Sequence, residues 1–301
     1  MSTLYALLPP LGRFDAVPAM RAWLARGDRL EAGATGEQAT ASYFLWPGSR
    51  LPAAALMRAA LDQPVDGHAW LCLDPAHVRP DMTGARMLAC GDIDLDAAEA
   101  DALARPLRPL FGDAGMRLET TLPSRWHLRL PADSPLPDFH APAEVLGDDI
   151  TRYLPAGPAG RRWRQLFNES QILLHQNPLN REREAHAQLS VNSLWPWGGG
   201  RLPAWVKTGL GEIYADDLLP RALAGQTGVA TRPLDTFDAS RSVRVDTLLD
   251  LGRSASPQAC MALLSDVLGR RRVRSLVLHF ATGERWRVSR WQRWRVWRGV
   301  S

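Results

Sequence analysis

The sequence predicts an α/β protein with a mixed sheet and flanking helices. Short apolar runs stopped by proline, glycine or aspartate read as buried strands, and stretches with apolar residues three or four apart read as helices. The two kinds alternate along most of the chain, which is the pattern of helices layered on a sheet. With 301 residues, 46% hydrophobic and 23% charged, the chain is long and apolar enough for one large domain or two modest ones, and its composition is not that of a disordered chain.

Leu4–Leu8 is an apolar run ended by Pro9-Pro10, a buried first strand with its stop. A helix over about 17–25 follows. His68–Leu73 and Arg86–Cys90 are strand patterns, the first ending at Asp74-Pro75. Asp94 or Asp96 caps a helix running to about Phe111, with Ala100, Leu103, Leu107 and Leu110 on one face. The spacing Asp92-x-Asp94-x-Asp96 suggests a calcium loop, but Ala97 and Leu103 stand where such a loop needs glycine and glutamate. Met116–Thr121 and Trp126–Leu130 form a hairpin about Pro123-Ser124, and the proline-rich stretch Pro131–Pro142 marks the boundary between an N-terminal region, 1–135, and a C-terminal region, 143–301. Beyond it come a helix over about 161–175, a turn at Asn177-Pro178, a helix over about 180–188, and a strand over 189–195 entering a glycine loop at Gly198-Gly199-Gly200. Thr247–Leu251 is a strand, Ser256-Pro257 opens a helix to about Leu268, and 275–280 pairs with 284–288 across Ala281-Thr282-Gly283. Ser289 caps a last helix. No internal repeat is present.

No apolar run reaches the roughly 18–20 residues of a membrane helix, and Met1–Pro10 lacks the features of a secretory signal, so a cytoplasmic protein is expected. Cys72, Cys90 and Cys260 are far apart and in no CxxC arrangement, which suggests neither a disulfide framework nor a zinc site. Lys207 is the only lysine among 36 basic residues. From Arg270 to Ser301 ten arginines face one acid, Glu284, so this end carries +9 of an overall +4 and the rest about −5.

Asn168, Glu169, Gln171, His175, Asn177, Asn180, Arg183, Asn192 and Ser193 concentrate amide, acid and base in one segment. Gln171 and His175 are one helical turn apart, Asn168 lies a turn earlier on nearly the same face, and Asn192 and Ser193 lead toward the glycines. Helix and strand then either converge on a polar pocket for a small anionic or polar ligand or form a buried hydrogen-bonded brace. In Trp195-Pro196-Trp197-Gly198-Gly199-Gly200-Arg201 the glycines permit either a backbone cradle for an anion, with Arg201 beside it, or a tight turn flanked by packed tryptophans. It is not a Walker loop. The seven histidines form no ligand pair, no GxSxG elbow occurs, and Asp148-Asp149 and Asp216-Asp217 suit capping better than catalysis. No metal site and no cofactor are predicted. At the arginine-rich end, Arg290, Trp291, Arg293, Trp294, Trp297 and Arg298 make either an anion or single-strand nucleic-acid surface, or a helix docked by its tryptophans.

On Leu4-Tyr5-Ala6-Leu7-Leu8-Pro9-Pro10, Asp74-Pro75-Ala76-His77-Val78, Asn168-Glu169-Ser170-Gln171, Asn177-Pro178-Leu179-Asn180 and above all Asn192–Gly200, the chain resembles the RpfE-type regulatory protein family, often labelled cofactor-independent phosphoglycerate mutase. The resemblance implies regulation of virulence factors and extracellular products, and action through a protein partner is expected. The label implies a scaffold like the alkaline phosphatase-type mutases, which hold two divalent metals and use a serine nucleophile. Against that enzyme pattern, Pro9-Pro10 replaces an Asp-Gly metal-binding corner, and no Asp-xxx-His cluster occurs in the second half. A degenerate, non-catalytic scaffold is therefore expected. A mutase with a divalent metal and a nucleic-acid-associated protein are the alternatives.

Overall fold

The computed structural model describes residues 2–82, 84–131, 134–241, 243–254, 256–270 and 273–294. In chain order the elements are β1 (Thr3–Leu8), α1 (Pro18–Arg26), β2 (Asp28–Arg29), α2 (Gly36–Ala41), β3 (Phe44–Leu45), α3 (Ala53–Ala60), β4 (Ala69–Pro80), β5 (Ala85–Cys90), α4 (Ala97–Ala104), α5 (Leu107–Asp113), β6 (Arg117–Leu122), β7 (Arg125–Leu130) and α6 (Pro142–Val145). There follow α7 (Gly157–Gln176), α8 (Pro178–Ala185), β8 (Ser193–Gly200), β9 (Lys207–Thr208), β10 (Glu212–Tyr214), α9 (Leu218–Gly225), β11 (Ala230–Arg232), β12 (Thr247–Asp250), α10 (Pro257–Gly269), β13 (Ser275–Phe280) and β14 (Arg285–Val288). The fold is α/β with mixed strand directions, as its alternating patterns indicate. Among the described residues no helix is long and apolar enough to cross a membrane.

The chain divides into two compact units, 1–47 with 204–301 and 48–203. The expected boundary at Pro131–Pro142 falls inside the second unit. The reason is strand pairing: β1 lies parallel to both β12 and β13, so the two ends of the chain build one sheet and the middle is an insertion. That sheet has the order β11-β10-β12-β1-β13-β14-β2, parallel from β11 to β13 and antiparallel at β14 and β2. A central strand covered on both faces must be apolar throughout, and β1 supplies Leu4, Ala6 and Leu8 to a core with Phe14, Met20, Leu264, Val267 and Phe280. Ser256 Oγ accepts from Ala259 N at 3.1 Å and Pro257 opens α10, so this helix starts where its cap predicts.

The second unit is an antiparallel sheet, β5-β4-β7-β6, with β8 on the other edge of β4. Leu71, Leu73, Trp126 and Leu128 face a core closed by Leu103, Phe111, Trp163, Leu166 and Leu174 from the helices. Three local expectations need correction here. The strand expected to stop at Asp74-Pro75 runs on to Pro80, because Pro75 pairs with Leu194 in a ladder that its missing N–H does not end. The helix expected to reach Phe111 breaks into α4 and α5 at Pro106, which cannot donate to Ala102 O; the Asn177 side-chain amide donates to that carbonyl instead, at 3.4 Å. The last element among the described residues, Arg290–Trp294, is a 3-10 turn, where the sequence predicts a helix from Ser289 on.

Candidate functional site

Within Asn168–Arg201 the structure builds a brace. Asn177 ends α7 and caps α8, its Oδ1 accepting from Leu179 N at 3.1 Å. Asn180, 4% exposed, donates from Nδ2 to Leu174 O (2.7 Å) and Val191 O (2.8 Å) and accepts from Val191 N at 2.8 Å. Arg183, 1% exposed, donates to Leu189 O at 3.0 Å and to Asp94 O at 2.7 Å and pairs with Glu99 at 2.6 Å, which ties α8 to the capped start of α4. Asn192 grips Val78 from both sides, Oδ1 accepting from its N–H at 2.8 Å and Nδ2 donating to its carbonyl at 2.7 Å. Arg183 and Asn180 take Leu189 O and both backbone groups of Val191, and the strand expected over 189–195 begins only at Ser193.

The remaining members do not converge on one site. Gln171 Nε2 donates to Ser193 Oγ at 3.5 Å, whereas Asn168 and His175 are exposed and Glu169 accepts from Gln165 at 2.8 Å. Between α7 and β8, in place of the expected polar pocket, lies an apolar gap of about 10 Å3 walled by Phe111, Trp163, Leu194 and Pro196, about one water in size. The helix turns its apolar face to the strand, since burying Trp163, Leu166 and Phe167 outweighs burying amides.

The glycines also differ from expectation: Gly198, Gly199 and Gly200 belong to β8, which pairs with β4 across an irregularity between Trp70 and Cys72. Gly198 has φ +63°, and a Cβ there would lie 2.7 Å from Ala53 Cβ. A Cβ on Gly199 would come within 2.9 Å of Leu71, and one on Gly200 within 2.8 Å of Pro52. Gly198 and Gly200 thus let α3 and its N-cap lie directly on the strand, and Gly199 makes room for Leu71. Arg201, past the strand end, is exposed.

Under α3 lies a buried ionic layer that sequence reasoning missed. Trp197 Nε1 donates to Asp74 Oδ2 at 2.8 Å, Arg125 pairs with the same oxygen at 3.2 Å, and the Arg125 guanidinium stands 4.8 Å from the Trp197 ring centre. Arg58, 2% exposed, lies 3.5 Å over the Trp70 ring, pairs with Glu119 at 2.9 Å and donates to Pro64 O at 3.2 Å. His127 is fully buried with Nδ1 at 2.9 Å from Thr121 Oγ1, and burial, aided by Arg58 and Arg125, pushes its pKa down to about 3. Trp195 is buried too, donating to His140 O at 2.8 Å. The alternation Arg125-Trp126-His127-Leu128 was visible, but alternation alone assigns the polar face to solvent.

In the first unit the carboxyl ends of the parallel strands are where α/β folds place ligands. Pro9-Pro10 follow β1 there, and Leu7 pairs with Asp250 on one side and His279 on the other. The groups around them are engaged: Asp250 accepts from Gly252 N at 3.0 Å, His279 Nε2 donates to Ala34 O at 2.8 Å, Asp216 accepts from Leu234 N at 2.9 Å and Asp217 pairs with Arg253 at 3.0 Å. Burial raises the Asp250 pKa to about 6. Asp148 accepts from Tyr153 OH at 2.9 Å, and Asp149 caps a turn at Thr151 N at 3.1 Å. Among the described residues no three His, Cys, Asp or Glu side chains gather so as to hold a metal ion; these residues do not fit a two-metal centre. At the arginine-rich end, Arg290 lies 4.3 Å over the Trp291 ring, which is 65% exposed. The side chains of Arg293 and Trp294, and Trp297 and Arg298 entirely, lie outside the described residues.

No family model matches the chain. A stretch of 62 residues is 36% identical to a Geobacter sulfurreducens protein described as a probable 2,3-bisphosphoglycerate-independent phosphoglycerate mutase, covering 21% of this chain and 16% of that one. The 2,3-bisphosphoglycerate-independent phosphoglycerate mutase of Methanosarcina mazei is 34% identical over 62 residues with the same coverage. The match thus spans about one sixth of the length of these relatives. Among solved structures, the PH0037 protein of Pyrococcus horikoshii gives a TM-score of 0.47 at 9% identity, covering 96% of this chain and 87% of that one. The cofactor-independent phosphoglycerate mutase of Thermoplasma acidophilum gives 0.39 at 13% identity, covering 96% and 89%. Likeness at these scores says nothing about a site. What the sequence relatives support is a mutase-like stretch over about a fifth of this chain; neither is described as a member of the expected regulatory family.

Proposed function

We propose that this is a non-catalytic protein that binds a small anionic ligand and acts through a protein partner. The observation that carries the reading is the engagement of the polar groups in Asn168–Gly200: Asn180, Arg183 and Asn192 are spent on backbone and one ion pair, so none is aimed at a reacting atom. Catalysis needs groups positioned toward the transition state, and two-metal phosphoryl transfer needs a ligand cluster as well. The role of a partner goes with the non-catalytic reading, since a protein that binds without turnover acts through what it contacts. On this reading no cofactor takes part.

A second reading, a phosphoglycerate mutase using a divalent metal, is favoured by the 36% identity over 62 residues. One assay separates them. The full chain is incubated with 3-phosphoglycerate and a panel of divalent cations, and 2-phosphoglycerate is followed by a coupled enzyme. The expected result is no turnover above background with any cation; turnover abolished by a chelator would replace the first reading with the second.

A further inference from the structure

The first unit contains a cavity of about 400 Å3 between α1, α10 and the turn at 290–294. This is within the size range of small-molecule sites. Trp23 and Arg26 come from α1, Ser265 from α10, and Arg290, Trp291 and Gln292 from the turn. Two guanidiniums and two indoles line it, and among the described residues that line it there is no carboxylate. Gln292, 4% exposed, pins the turn: Nε2 donates to Asp28 Oδ2 at 2.8 Å and Oε1 accepts from Ser289 N at 2.9 Å. Arg290 and Trp291 are therefore presented from a fixed piece of backbone, and Trp291 is 65% exposed.

We propose that this cavity binds a nucleotide: a planar aromatic ring carrying a phosphate. An indole offers a face on which any base stacks. A guanidinium presents paired donors that match phosphate oxygens. The one carboxylate beside the described wall, Asp28, is held behind it by Gln292. A benzoate-sized anion would leave most of 400 Å3 unfilled. A nucleic-acid strand needs a groove that follows several phosphates, whereas three elements border this space and leave one mouth open to solvent. The proposal rests on the reading of the protein as a binder of small anions and gives that ligand a site and a chemical class.

Calorimetric titration of the full chain with the four ribonucleoside 5′-monophosphates tests it, with adenosine, inorganic phosphate, benzoate and a ten-residue oligothymidylate titrated alongside. At least one nucleotide is expected to bind saturably at one per chain, with nucleoside and phosphate each tenfold weaker or worse. Trp291→Ala and Arg290→Gln are each expected to weaken binding tenfold or more, and Trp291→Ala to leave Tm unchanged, because its ring lies mostly in solvent. Absence of saturable nucleotide binding, variants that bind like the parent, or benzoate or phosphate binding as tightly as the nucleotide would each overturn the proposal. So would an oligonucleotide that binds more tightly than the mononucleotides with a steep salt dependence, which would assign the surface to nucleic acid. Mutase turnover sinks the non-catalytic reading whatever the nucleotides do, whereas a silent mutase assay without nucleotide binding sinks the cavity alone.

Discussion

Asp250 keeps its proton in the folded protein up to about pH 6, while in the unfolded chain it gives it up near 4. Between these values the native state holds more protons, so stability falls as pH rises through 4–6 and the penalty is complete above 6. Asp250→Asn is expected to raise Tm at pH 7.5, by on the order of 1–3 kcal/mol of stability, and to change it little at pH 4; an equal shift at both pH values would contradict the assignment. His127 works the other way. Its folded pKa of about 3 lies below the unfolded value near 6.5, so the unfolded state binds more protons between them. The stability this neutral imidazole allows is complete above 6.5 and is lost as pH falls toward 3. His127→Gln should flatten the fall in Tm between pH 6.5 and 4.5, measured as the difference between variant and parent across that range. The Asp74 carboxylate, fully buried between Trp197 and Arg125, is a different case, since removing it strands a mostly buried cation. Asp74→Asn is expected to cost about 3 kcal/mol in urea unfolding.

At the scale of elements, the contact of α3 with β8 depends on absent side chains. Gly198→Ala adds a Cβ 2.7 Å from that of Ala53 at φ +63°, combining backbone strain with overpacking, for an expected loss of about 2–4 kcal/mol. Ala53→Gly in the same protein relieves the contact but not the φ, so a double-mutant cycle should return a coupling of at least about 1 kcal/mol. Additive effects would place the cost in the backbone alone. Element existence was readable in advance where periodicity and caps agree, as at β1, at the β6–β7 hairpin and at α10 with Ser256. It failed where the deciding partner is remote. Val78, far away in sequence, takes the Asn192 side chain, and Ala53 shapes the need for Gly198. The polar residues of 168–200 were legible as a group, but their use as a brace depends on which carbonyls come within reach.

For the whole molecule, the insertion 48–203 is continuous in sequence and carries its own core. Expressed alone it is expected to unfold in one cooperative transition and to keep the acid sensitivity due to His127, whose neighbours Arg58, Thr121 and Arg125 all lie within it. A non-cooperative melt would show that it needs the rest of the chain. By itself the sequence determined the α/β class, most strands and helices, and the cationic arginine-rich end, because these depend on local periodicity, capping and charge. Only the tertiary structure decided that the two ends of the chain share one sheet, that Arg58, Asp74 and His127 are buried, and that Trp23 and Arg26 meet Arg290 and Trp291 around one cavity. Strand pairing and burial depend on residues brought together from distant parts of the chain, and no local pattern encodes which distant segment will cover a given face.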